Sequence, residues 1–442
     1  MVAKSEPLFS GIRGFLLALT LVGLVVAVIR LIAGLGATTN LNSGYPWGIW
    51  VFFDLFLIPF SAGAFTISAV VHIFNQKQYK PLLRPVVLAG LLGYSLTLWF
   101  LLLDLGRPDL FYNVFIYLNP RSFMFEVAWC LSLYTGVLVL EFLPAYAEKY
   151  NRKGLQRGLT TFGIVILSAG ILLSTMHQSS LGGLFLLMPG RIHPLWSSDL
   201  LALFFLVSSV AGGLSMIILI SAWAFRAFKH HLDYRMFSGI ARASVWVLGF
   251  YFIMKIVDLM GRHTFGRVFE GSIQSVLFLI EMTIGILLPL IMFASQGVRE
   301  SKSGLIWAAI FVSFGLALNR TNIAFYGFDP IRVATYSPYW MEWIATLGGV
   351  AGAILIFYLI ARYFPILLVP EAEEFAEARG ASFTAVAITL LAIGIILEGT
   401  NPLWSGYGVW IFVAGLSFLI ASLEIGAGKK MMKGLQNAKN NN

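Results

Sequence analysis

Cysteine is almost absent from this 442-residue chain. Its single thiol, Cys130, excludes an internal disulfide, a cysteine-held cluster and a CxxC redox motif, so any iron–sulfur chemistry belongs to another polypeptide. Charge is scarce too. Asp, Glu, Lys and Arg make up 12% of the residues against 58% hydrophobic, about half the charge of an ordinary soluble domain. A soluble enzyme is thereby excluded. The net charge of +9 lies scattered over short connectors, with no basic domain and no basic patch interleaved with aromatics, which argues against nucleic acid as a partner. No Walker loop, Rossmann glycine pattern or zinc motif stands in a credible context.

What the chain has is apolar length. Runs long enough to span hydrocarbon are predicted at about 14–35, 50–74, 84–105, 122–146, 158–178, 197–225, 240–261, 273–296, 304–323 and 341–364. The reading is therefore an all-α polytopic membrane protein. Phe15 to Leu35 is longer than a signal-peptide core and counts as a span. Two further apolar segments, about 382–398 and 404–424, are predicted to cross as a hairpin, with Asn401-Pro402 breaking the helix between them. Lysine sets orientation, because cytoplasmic connectors are enriched in it. Lys4, Lys77, Lys80, Lys149, Lys153, Lys229, Lys302 and the Lys429-Lys430-Lys433 tail fall at the termini or after even-numbered spans. This predicts a multi-pass protein of the bacterial cytoplasmic membrane with both termini cytoplasmic. Arg107, Arg121, Arg191, Arg267 and Arg332 lie in the outer connectors, and the acidic connector Glu371 to Glu377 in a cytoplasmic one.

Polar landmarks repeat along the chain. Asp104-Leu-Gly-Arg107 closes the third span and Asp258-Leu-Met-Gly-Arg262 the seventh, followed by Glu126 and Glu281 at similar separations. Pro46-Trp47, Asp54 and Ala62-Gly63 are matched by Pro194-Leu-Trp196, Asp199 and Ala211-Gly212. The offset of about 150 residues is four spans, and an even number preserves orientation. The prediction is two parallel-related four-helix bundles flanked by extra transmembrane helices. The corresponding segments are 1–45 (first span and connector), 46–180 (first bundle), 181–325 (second bundle) and 326–442 (C-terminal spans and tail).

Glu126 sits inside an apolar run, where an ionisable group costs at least about 2.5 kcal/mol and is normally retained for a ligand or a pathway. Helical spacing places Asp104, Glu126 and His177 within roughly 10 Å of the outer boundary, with His177 ending its span, so that the three share one pocket. Tyr94 lies deeper, and Asn42, Trp47 and Asp54 approach from the first connector and the second span. A raised carboxyl and an imidazole that titrates near neutrality suit a reaction that moves electrons and protons together, as a quinone does. An Arg107 ion pair is the plainer explanation of Asp104, and packing that of Tyr94. The second half repeats the carboxylates as Asp199, Asp258 and Glu281, with Lys255 one turn from Asp258, but has no histidine in the place of His177. It is either a proton path or a buried ion pair. Of the six histidines only His72 and His177 fall in spans, at opposite faces, so no haem pair is expected.

These residues resemble the NrfD/polysulfide-reductase membrane-subunit family, and within it the HybB-type branch found with nickel–iron hydrogenases. The stretches that carry the resemblance are Leu41-Asn-Ser-Gly-Tyr-Pro-Trp-Gly-Ile-Trp50, Gly93-Tyr-Ser95, Phe125-Glu126, Glu141-Phe-Leu-Pro144, Thr175-Met-His-Gln-Ser-Ser180 and His193-Pro-Leu-Trp196. The resemblance implies a subunit without haem or iron–sulfur cluster that binds menaquinone. Its implied partners are a periplasmic iron–sulfur ferredoxin-like subunit and a catalytic subunit, a nickel–iron hydrogenase or a multihaem cytochrome. In the family, the positions of Tyr94, Glu126 and His177 are associated with quinone and proton handling. The apolar pair after residue 380 exceeds the family's usual ten-span pattern. Two other readings compete with this one. Repeated bundles with buried carboxylates also build ion-coupled secondary transporters, and a passive anchor would merely dock an outer enzyme.

Overall fold

Ten helices long and apolar enough to cross a membrane fill the computed structural model, which describes residues 11–367 apart from 43, 44, 46, 73, 189, 231 and 328–335. They are α1 (Ile12–Ala33), α2 (Ile49–His72), α3 (Lys77–Asp104), α4 (Phe123–Lys149), α5 (Lys153–Leu186), α6 (Leu201–Ala227), α7 (Tyr234–Gly261), α8 (Ile273–Ala294), α9 (Lys302–Ala324) and α10 (Trp340–Tyr363). Each corresponds to a span expected from the sequence. The acidic connector and the two apolar segments beyond residue 380 lie outside the described residues.

The helix ends gather at two levels. At one, here the upper end, Arg30 of α1 reaches the carbonyls of Leu103 and Leu105 at the end of α3, Asn40 reaches Glu342 at the start of α10, and Ser198 reaches Asp258 near the end of α7. At the other, Arg84 of α3 bonds Glu148 of α4 and the Pro365 carbonyl, while Arg13 of α1 bonds Tyr358 of α10.

α2 and α6 are the most buried helices and cross at the centre. α6 also packs on α3, α5, α7 and α9, while α1 and α10 pair with each other and lean on α3. Hydrocarbon gives helices no hydrophobic reason to associate, so close approach through small residues does that work. Gly63 of α2 meets Gly213 of α6, Gly23 of α1 meets Gly348 of α10, and Gly285 of α8 meets Gly315 of α9, each so closely that a methyl group would collide with backbone.

Two helices depart from regularity beside polar residues. α2 carries Pro59 and is interrupted at Ala62, whose N–H bonds the Pro59 carbonyl three residues back instead of continuing the four-residue ladder. In α8, Glu281–Leu287 forms a π-helical turn. Pro289 cannot donate to the carbonyl of Gly285, and the wider turn accommodates the lost bond.

Gly285→Val should force α8 from α9 at an overpacking cost of about 1–3 kcal/mol. Gly136→Val, at an exposed glycine of α4 with nothing within 4 Å of an added carbon, should cost nothing. Thermal unfolding of the purified variants in detergent checks this: a lowered midpoint for the first alone is expected, and equal midpoints would count against glycine-mediated packing.

Candidate functional site

Five fully buried polar side chains meet where α3, α4 and α5 pack together: Tyr94, Tyr134, Ser174, His177 and Gln178. The Tyr94 ring lies edge-on to Tyr134, with centroids 4.6 Å apart, and 5.9 Å from the His177 imidazole. Ser174 neighbours both phenols. Helical spacing explains the convergence, since Ser174 precedes His177 and Gln178 by one turn on α5, while Glu126, Cys130 and Tyr134 form one stripe of α4. The two phenol oxygens, the Ser174 hydroxyl, the two imidazole nitrogens and the two Gln178 amide atoms make no hydrogen bond of good geometry, although Ser174 lies near enough to interact weakly with both phenols and the Phe65 backbone with that of Tyr134. A buried polar group without a partner costs about 1–3 kcal/mol. Seven such atoms in one place make this cluster the candidate site.

Glu126 enters this site at its upper edge. It lies in the first turn of α4, half-buried rather than sealed from solvent, behind the Ser122 cap. The Ser180 hydroxyl of α5 donates to Glu126 Oε1 at 2.5 Å and also faces the Met176 carbonyl at 2.7 Å. One hydroxyl hydrogen thus serves two acceptors. His177 stands one turn below Ser180, about 4.5 Å along the axis. It does not end its helix, as the spacing had suggested. α5 continues to Leu186, because Gly182 and Gly183 are held against Leu201-Ala202 and Phe123 rather than acting as breakers.

Asp104 stands apart from Glu126 and His177, with no hydrogen bond or ion pair to either. Its charged neighbours are Arg30 and Glu342, and Asp54 lies within its electrostatic reach. The plain alternative, an ion pair with Arg107, does not form, since Arg107 bonds Asp109 in the exposed connector at 2.7 Å. Glu342 accepts from the backbone of Asn40 and Tyr339 and from the Tyr336 hydroxyl at 2.6 Å. Burial first, then the Glu342 carboxylate, pushes the Tyr336 phenol above its usual range and keeps it a donor. Asn42 is exposed in the connector, bridged through its backbone to Tyr45. Trp47 is edge-on to Phe185 near the upper end of α5, with centroids 5.5 Å apart, and Phe185 lies 5.8 Å from Phe205 of α6.

The second half holds a different kind of cluster. Glu281 is 1% exposed and receives four donors: Lys255 at 3.0 Å and Asn319 at 2.8 Å on one oxygen, Trp196 and Asn322 at 2.9 Å on the other. The predicted neighbour of Lys255 was Asp258, one turn on. Instead Asp258 bonds Arg262 and Ser198, because the ammonium group finds a buried carboxylate across the helix interface. Asp199 is exposed in the turn before α6 and touches neither group. Arg320, fully buried, bonds Asn319 and Ser208 and lies 3.7 Å over the Phe205 ring. A cavity of about 20 Å³, room for roughly one water, opens beside Ser208, Tyr251, Glu281 and Asn319.

Sequence reasoning missed Tyr134, Ser174, Ser180, Asn319, Arg320 and Asn322 as site residues. The signals were present: Tyr134 stands two turns beyond Glu126, Ser174 and Ser180 each stand one turn from His177, and Asn319-Arg320-Thr-Asn322 is a polar block inside an apolar span.

Comparison with known proteins agrees with this architecture. The family model of the polysulphide reductase NrfD matches residues 37–329. The chain is 32% identical to the probable Ni/Fe-hydrogenase 2 b-type cytochrome subunit of Escherichia coli, over 79% of this chain and 90% of that one. It is 30% identical to the integral membrane subunit of menaquinone reductase from Nitratidesulfovibrio vulgaris, over 80% and 90%. With a selenate reductase subunit from Mesobacillus selenatarsenatis the identity is 23%, over 79% and 92%. The chain is a multi-pass membrane protein and belongs to the NrfD family.

Proposed function

We propose that this chain is the quinone-reactive membrane subunit of a respiratory oxidoreductase complex, exchanging electrons between an iron–sulfur partner on the outer face and menaquinone, with coupled proton transfer. The observation that carries the reading is the group of unpartnered donors and acceptors on Tyr94, Tyr134, Ser174, His177 and Gln178. Planar carbonyl oxygens between aromatic rings are the chemistry that such a set satisfies. Menaquinone, when bound, supplies a couple of two electrons and two protons. Tyr94, Tyr134 and Gln178 would hold its head group, and His177 would give or take a proton at a ring nitrogen. Glu126 is placed to pass protons toward the upper end: a proton on its carboxyl would let it donate to Ser180, whose own hydrogen could then go to Met176 alone.

Electrons must come from or go to another polypeptide, because one cysteine cannot hold a cluster. The names of two relatives, a hydrogenase subunit and a menaquinone reductase subunit, support a multisubunit complex with a catalytic partner of that kind. The word cytochrome in one of them does not carry over. His72 closes α2 near Lys80, and His177 is level with Tyr94, so the two stand roughly 20 Å apart along the helix axes. One iron cannot take both. We further propose that α2–α5 and α6–α9 are two parallel-related bundles, on the grounds that each set closes the same circuit of neighbouring helices, and that both termini are cytoplasmic.

Within that repeat the second half acts as a buried ion lock rather than a proton path. Its carboxylate is saturated by four donors, and Asp258 is tied to Arg262. Lys255→Met should leave Glu281 buried and uncompensated, at a cost of about 3–5 kcal/mol. The double change Lys255→Met with Glu281→Gln should recover most of it. Thermal unfolding in detergent measures both, and a harmless single change would return the second half to a conducting role.

For the first half, Glu126→Gln and His177→Ala should lower quinone-linked turnover by about 100-fold or more while assembly persists. Tyr94→Phe should weaken quinone retention. Wild-type turnover in Glu126→Gln would remove that residue from the mechanism. Solute or ion flux in liposomes without an electron-transfer partner would favour the carrier reading instead.

A further inference from the structure

A second set of orphaned polar atoms lies above the first, along the seam of α1, α2, α3 and α10. Asp54 of α2 is 4% exposed and neither of its oxygens has a partner. One turn before it on α2, the indole N–H of Trp50 is buried and unpartnered. Arg30 of α1 is 1% exposed, 5.9 Å from the Trp50 ring, and spends Nε and one terminal nitrogen on the carbonyls of Leu103 and Leu105. Its other terminal nitrogen is unpartnered, as is one oxygen of its electrostatic neighbour Asp104. Two buried donors and three buried acceptor oxygens therefore share a place in which they do not bond one another.

Thr97 links this set to the lower one. Threonines within the spans return their hydroxyl to the carbonyl four residues back, as Thr66, Thr135, Thr321 and Thr346 do at 2.6–2.9 Å. Thr97 is fully buried and makes no such bond. It stands one turn above Tyr94 and two turns below Asp104 on α3, about 4.5 Å and 10.5 Å along the axis. Unpartnered oxygens thus climb one helix from the Tyr94–His177 site to the upper end.

We propose that Asp54 and Asp104 hold one proton between them over ordered water and form the station through which protons pass between the Tyr94–His177 site and the upper surface. This rests on the quinone reading for its purpose, though not for its existence. An ionised Asp54 without a donor would carry a prohibitive desolvation cost, whereas a carboxylic acid donating to water does not. At rest the charge lies on Asp104, the one of the two with a guanidinium, Arg30, in its electrostatic surroundings. The other ionisable groups around the pair are Glu342 of α10, already saturated by three donors, and Tyr336 of the connector before it. Arg30 and Glu342 lie outside the 37–329 match to the family model, so the flanking helices α1 and α10 complete the site. The proton given up by Asp54 goes to water and from there to the Asp104 carboxylate, leaving the total charge of the pair unchanged.

Infrared spectroscopy of the purified complex in H2O and D2O at neutral pH tests the station. The expected result is a carboxylic-acid carbonyl band that shifts on deuteration, disappears in Asp54→Asn and returns in Asp54→Glu. A wild-type spectrum without such a band, or one identical to that of Asp54→Asn, would overturn the proposal, whatever the variants do in turnover. Asp54→Asn should also slow quinone-linked turnover by about 100-fold while quinone still co-purifies, and unchanged turnover would overturn the role in the proton route. Should wild-type protein fail to retain quinone at all, the quinone reading is what falls, and the infrared band still decides the station.

Discussion

An ionisable or polar group inside a membrane protein must be answered by the protein itself, since hydrocarbon offers nothing to bond with. The carboxylates of this chain are answered to very different degrees. Glu281 has two donors on each oxygen, one of them a buried ammonium. Glu126 has a single serine hydroxyl, shared with a backbone carbonyl, and Asp54 has nothing. Saturation fixes a charge in place, whereas incomplete saturation leaves room for a proton or a ligand. Among the carboxylates the incompletely answered ones, Glu126 and Asp54, lie in α2–α5, and function is read from there.

The fold supplies the contrast through close approach. Glycine contacts bring α8 against α9 and α2 against α6, and the π turn of α8 carries Glu281 in its first position. Asn319 and Asn322 project from α9 to the same carboxylate, so the second half closes on itself. In the first half, α5 presents Ser174, His177 and Gln178 to phenols on α3 and α4, rings that fill space without using up the polar atoms. A line of aromatic contacts, Trp47 to Phe185 to Phe205, ends under the Arg320 guanidinium and joins the two halves through α6.

Most of the architecture was legible in the sequence because a membrane span is a matter of length and composition. Ten spans, Glu126, His177 and Tyr94 all follow from apolar runs and the polar residues within them. What could not be read was pairing across helices. Lys255 has Asp258 one turn away and takes Glu281 instead, and Asp104 has Arg107 three residues on but faces Arg30, far earlier in the chain. Spacing describes one helix at a time, whereas a buried charge is satisfied by whichever helix packs against it. The end of α5 differs for a related reason, since the helix runs past His177 to Leu186 with Gly182 and Gly183 packed against Leu201-Ala202 and Phe123, contacts that spacing along one helix does not reveal.

The account turns on the polar set of α3, α4 and α5 as the place that receives the quinone head group. Photoaffinity labelling of the purified complex with an azido-quinone, followed by peptide mapping, tests that placement most directly. Labels are predicted on the segments around Tyr94, Tyr134 and His177, displaced by excess menaquinone. Labels confined to α7, α8 and α9 around the Lys255–Glu281 pair would contradict it.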